Sequence, residues 1–184
     1  LQIEGVEIVS SVPATPFHLS QIYSQVGKEF SVEFGDYAGL TTQSISLYGI
    51  DEEYLTAIDT QYIKFTRGNR DEAFQQLFIE QETHACIISE AIGQSLNLNL
   101  GDKVRLIVER GDETENYPFI IVGMASSMPG FSGRFSGSSN AARNGGVLIS
   151  QDLYLKLLDI PANVHVEKFF IKLNENAAKN SRQI

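Results

Sequence analysis

The sequence holds a single cysteine, Cys86, so no disulfide can form within the chain. Flanked by His84-Ala85 and Ile87-Ile88, Cys86 reads as a buried strand residue rather than a nucleophile. The lack of disulfides points weakly to a reducing compartment, since many periplasmic and extracellular domains also lack them. Basic residues are scarce: 14 Lys and Arg stand against 23 Asp and Glu, a formal net charge of -9. That balance argues against the clustered positive footprint of a nucleic-acid binder. It also argues against electrostatic docking on an anionic membrane surface. Long apolar runs are missing too. The longest, around Phe119-Ile120-Ile121-Val122, is far short of the ~20 residues a helix needs to span a bilayer, and no signal-peptide pattern is present.

Patterns that carry chemistry are equally sparse. His18, His84 and His165 have no second ligand at a metal-binding spacing. The acidic groups Asp51-Glu52-Glu53, Asp71-Glu72 and Asp112-Glu113 fall at helix starts or a hairpin tip, where solvation explains them. Ser132 and Ser136 lie in GFSGRFSG, which lacks the spacing and the strand-to-helix context of a nucleophile elbow. No Walker A or GxGxxG motif occurs. The sequence therefore predicts no catalytic residue, no metal site and no cofactor.

What is present is core-forming material: 42% hydrophobic residues, with eleven Phe and seven Tyr. Buried apolar runs predict strands at residues 85–88, 117–124 and 146–149, and alternation predicts them at 6–9, 30–34, 43–50, 103–109 and 166–173. In the last of these, Phe169, Ile171 and Leu173 share one side. Short helices are expected after Asp51, after Ser89 and after Ser150; residues 71–81 read as a short helix or a loop with a helical turn, and residues 17–26 could be a helix or an irregular edge. Ser89 is placed to cap its helix, Glu90 sits at the positive end, and Pro161 is expected to end the helix after Ser150. The Leu-Gly-Asp at 100–102 is a corner: Gly101 tolerates positive φ, and Val104, Leu106 and Val108 then face inward. Residues 110–116 form a polar hairpin tip.

Residues 128–146 (MPGFSGRFSGSSNAARNGG) have no period and are rich in Gly and Ser. A loop of that length is usually functional or mobile. Two readings stand: an excursion that tolerates insertion, or an exposed aromatic and cationic tip for a partner or substrate. In the second, the contact residues are Met128, Phe131, Arg134, Phe135 and Arg143.

The order of segments resembles the extracytoplasmic domain of ABC transporter permeases of the MacB/FtsX/LolC type. The resemblance is carried by LQIEGVEIVSSV, LYGIDEEYL, CIISEAIGQSLNLNLGDKVRL, FIIVGM, GGVLISQDLYLKLL and FFIKLNENA. The third is the most telling, with a strand, a Ser-Glu helix start, an apolar helix and a Leu-x-x-Gly-Asp corner. Arg67-Gly68-Asn69-Arg70 only approximates the family's Gly-Arg before that strand, and the Gly/Ser loop is longer than in the MacB branch.

The resemblance implies an α+β fold of two lobes. Residues 1–14 and 83–184 would form a membrane-proximal α/β lobe of strand-helix-strand units, and residues 15–82 an inserted strand-rich lobe. It implies a non-enzymatic transporter part in the cell membrane, with this domain periplasmic or extracellular. The implied partners are a second permease copy or related subunit, a cytoplasmic ATPase acting through membrane helices, and a lipid, peptide or protein substrate; no nucleic acid is expected. The chain begins at Leu1 without Met and ends in what reads as a first helical turn, which predicts a piece of a longer protein with membrane helices on either side. The isolated domain is expected to be monomeric or weakly self-associating. The competing expectations are a free-standing extracellular binding or sensor module, and an enzyme whose site the sequence does not announce.

Overall fold

The computed structural model describes residues 4–14, 30–36, 42–80, 82–110, 112–131, 134–135, 145–159 and 168–180. Its strands are β1 (Val6–Val12), β2 (Phe30–Asp36), β3 (Thr42–Ser44), β4 (Ser46–Ile50), β5 (Lys64–Arg67), β6 (His84–Ser89), β7 (Lys103–Arg110), β8 (Glu113–Ser127), β9 (Gly146–Ser150) and β10 (Lys168–Leu173). Its helices are α1 (Glu53–Ala57), α2 (Arg70–Phe78), α3 (Glu90–Ser95), α4 (Gln151–Leu158) and α5 (Glu175–Asn180). The architecture is α+β, as expected.

Eight strands form one sheet in the order β3-β2-β7-β8-β6-β9-β4, with β5 also on β8. β8 is its spine. Residues 113–120 pair with β7, and residues 124–127 pair with β5 further along; β6 runs parallel to it over 119–125. Between the two antiparallel partners, the Gly-Asp corner itself bonds to the spine. Gly101 donates to the Ile121 carbonyl at 2.8 Å, and the Ile121 N–H donates to the Asp102 carbonyl at 3.1 Å. Gly101 has φ 80°, the left-handed conformation that a side chain disfavours.

β3 and β4 stand at opposite ends of the strand order, yet only Ile45 separates them in the chain. One residue cannot bridge a flat sheet of this width, because neighbouring strands lie ~4.8 Å apart. The sheet must therefore curl until its ends approach. One core lines this curl, with Phe34, Leu47, Val104, Leu106, Val108, Phe119 and Ile121 from the strands, capped by Ile92 of α3 and by Tyr154 and Leu157 of α4. A second core lies on the other face, beneath Tyr54 of α1 and Ala73, Phe74 and Leu77 of α2. Strands β4, β6 and β9 are covered on both faces and so read as continuous buried runs, whereas β7 alternates.

The expected boundaries at 14/15 and 82/83 do not interrupt strand pairing. β2 pairs with β7, β4 with β9 and β5 with β8, so strands from both segments share the sheet. The physical reason is that Phe34 of β2 and Leu47 of β4 belong to the same core as Val104, Leu106 and Val108 of β7 and Val147 and Ile149 of β9. The caps also divide. Ser89 accepts from the Ile92 N–H at 3.3 Å, as expected, while Ser150 holds the N-cap position of α4 without a side-chain bond. α4 ends at Leu158, with Asp159 left-handed at φ 49°; Pro161 and residues 17–26 lie outside the described residues.

Candidate functional site

The first and last strands make a separate two-stranded ribbon. β1 and β10 pair antiparallel from Val6 opposite Leu173 to Val12 opposite Lys168. Beyond the pairing, the Asn174 N–H donates to the Gly5 carbonyl at 3.0 Å. Residues 5 and 174 therefore leave the ribbon side by side. At its other end the ribbon meets the body through an isolated bridge between Ala14 and Tyr48, and the Gly49 N–H donates to the Pro13 carbonyl at 3.0 Å.

A polar clamp fixes this junction. The Ser10 hydroxyl donates to Asp51 Oδ1 at 2.5 Å, the Ser11 N–H donates to Asp51 Oδ2 at 3.3 Å, and the Tyr54 N–H donates to Asp51 Oδ1 at 2.9 Å. One carboxylate thus starts α1 and holds β1, and such charge-assisted bonds are roughly twice as strong as neutral ones. Ser10 is fully buried, so its hydroxyl depends on that carboxylate. Gln151, opening α4, adds a second tie, its Nε2 donating to the Ser11 carbonyl at 2.8 Å. Gly49 allows α4 to lie close: a methyl group there would meet the Tyr154 Cβ at 2.7 Å.

An aromatic hub backs the clamp. The Phe131 ring lies 4.6 Å from Tyr48 of β4, 5.8 Å from Tyr54 of α1 and 5.9 Å from Phe170 of β10. Phe170 meets Tyr54 edge-on at 5.0 Å, a favoured aromatic geometry, and Lys168 Nζ stands 5.4 Å from the Tyr48 ring centre. Burial pushes the Tyr54 phenol far above its ordinary pKa, and its hydroxyl donates to the Pro129 carbonyl at 3.0 Å. The joint is thus a hydrogen-bonded apolar junction with one structural carboxylate, Asp51, and the Lys168 ammonium against the Tyr48 ring.

This geometry corrects the expected exposed tip. Met128, Phe131 and Phe135 are 1%, 2% and 1% exposed and belong to the second core. The Phe135 N–H donates to the Phe131 carbonyl at 3.1 Å, and the two rings lie 6.2 Å apart. Arg134 is half-buried, and its carbonyl accepts from the Gly146 N–H at 3.1 Å. Arg143 lies outside the described residues. The i, i+4 spacing of the two Phe is the signal that could have revealed their shared burial within a Gly/Ser-rich segment.

Cys86 is fully buried, with its thiol pKa pushed up by burial, as its strand context implied. Among the described residues, no group of three or more His, Cys, Asp or Glu could hold a metal ion, and no helix is long and apolar enough to cross a membrane.

The MacB-like periplasmic core domain model matches residues 6–181, from the start of the ribbon to just beyond α5. The chain belongs to the MacB-like periplasmic core domain family. It is therefore an extracytoplasmic domain of the type carried by ABC transporters. Its fold is similar to the extracellular domain of the noncanonic ABC-type transporter YknZ from Gram-positive bacteria, with a TM-score of 0.52 and 13% identity over 97% of this chain and 71% of that chain. No curated protein is significantly similar in sequence.

Proposed function

We propose that this MacB-like domain is the part of an ABC transporter permease that passes ATP-driven movement of membrane helices to a substrate or partner outside the membrane. The observation that carries the reading is the β1–β10 ribbon. Both strands that lead away from the body run side by side to residues 5 and 174. A displacement applied there acts on both strands together, and the Asp51 clamp and Phe131 hub are what it meets first. In this reading the membrane helices flank the domain, a cytoplasmic ATPase drives them, and a second permease copy or related subunit faces the domain. The substrate is a lipid, a peptide or a protein.

The test is Asp51→Ala in the full-length permease with its ATPase. Transport should fall while ATP hydrolysis by the complex persists, because the engine is intact and its linkage is loosened. Unchanged transport, or a full-length chain without membrane helices beside the domain, would overturn the proposal.

A further inference from the structure

A cleft of about 830 Å³ opens where the parallel strands β4 and β9 end and α1 and α4 begin. That volume is within the range that holds a ligand or a few side chains of a partner. Asp51 reaches it but is committed to Ser10, Ser11 and Tyr54. Four exposed carboxylates remain, Glu52, Glu53, Glu80 and Asp152, and the Lys156 ammonium opposes them within the lining. Helix dipoles explain Glu53 and Asp152, which sit in first turns. They do not explain Glu80, which follows the C-terminal end of α2, where a negative charge is disfavoured.

The walls of the cleft are also apolar. Val9 and Ile79 line it and are 44% and 52% exposed. Val9 lies directly opposite Ile171 in the ribbon, so both side chains share one face. Phe169 and Leu173 flank Ile171 on that face, and the three are 63%, 53% and 36% exposed in the order 169, 171, 173. An apolar strip therefore leads out of an acidic cleft. Contiguous exposed apolar surface of this kind marks interaction sites.

We infer that this surface binds a cationic amphipathic polypeptide segment. Lys or Arg side chains meet the four carboxylates, and apolar side chains alternate with them onto Val9, Ile79 and the ribbon strip. A free metal ion or small cation leaves the apolar walls uncovered. An anionic membrane is repelled by the acidic rim and by the chain's net charge of -9. The inference concerns a surface of this chain and does not depend on the transport reading; loss of coupling in the permease leaves it standing.

The experiment is an amide NMR titration of the chain with a short synthetic peptide of alternating Lys and Leu, and with its Glu-Leu counterpart. The Lys-Leu peptide should shift amides around Val9, Ile79 and Ile171, and its affinity should fall as salt is raised. The combined Glu52→Lys, Glu53→Lys and Asp152→Lys substitutions should weaken it about ten-fold or more, and Ile171→Ser should weaken it too. These positions are exposed, so unchanged spectra elsewhere will confirm the fold. Equal binding of the Glu-Leu peptide, undiminished affinity in the charge-reversed variant, or shifts confined to another surface would overturn the inference. So would flotation of the chain with phosphatidylglycerol vesicles that Ile171→Ser abolishes, which would reassign the strip to a membrane.

Discussion

Removing the Phe131 ring should cost about 3–5 kcal/mol, because it leaves a cavity among Tyr48, Tyr54 and Phe170. Phe169→Ala, at a position 63% exposed, should stay within ~0.5 kcal/mol of the parent in the same denaturant titration. Equal costs would place Phe131 outside the core. The contrast also marks what was legible in the sequence. Alternation showed that Phe169, Ile171 and Leu173 share a side, but it could not show that the covered side is that of Phe170. Periodicity reports faces; only a partner strand or helix decides which face is dry. His84 gives a second residue-scale outcome. Burial, followed by the nearby Lys156 charge, lowers its pKa below the ordinary 6.5, with Glu80 acting the other way. The unfolded chain therefore takes up the proton more readily than the folded one. His84 contributes stability that is fully present above pH 6.5 and is lost as pH falls through its lowered folded value. The melting temperature should drop as pH is lowered through this window, and His84→Gln should flatten the drop. Parallel curves would refute it.

At the scale of elements, the Asp51 carboxylate ties the ribbon to the start of α1. Asp51→Ala leaves the buried Ser10 hydroxyl without its acceptor, a loss of about 1–3 kcal/mol. The loss should be local: amides of β1 and β10 should exchange faster with solvent, while those of β6 to β8 keep their protection. Uniform loss of protection would mean the clamp supports the whole fold. The β6–α3–β7 unit was readable because its signals are local: a Ser cap, a helical stripe and a Gly-Asp corner within about one helix-and-strand length. The pairing of β1 with β10 was not, because its partners stand 167 residues apart at Val6 and Leu173 and no local motif encodes them. β5 was missed for a related reason. Its four residues pair irregularly on β8, with two register shifts, and only Phe65 is partly covered.

At the scale of the molecule, the curled sheet draws strands from before and after residue 82 into shared cores. Chemical unfolding should then be a single transition, with far-ultraviolet circular dichroism and tyrosine fluorescence coinciding. Two separated transitions would show that residues 15–82 melt as an independent lobe. The family and the fold could be named because six segments follow one another in the family's order; the acidic cleft could not, since its carboxylates come from α1, α4 and the end of α2. Finally, the single thiol of the chain is wholly enclosed within β6 and resists ionisation. A cysteine engineered on the surface would be the one site open to a maleimide dye or spin label, so distances between ribbon and body can be followed in the native background without first replacing Cys86.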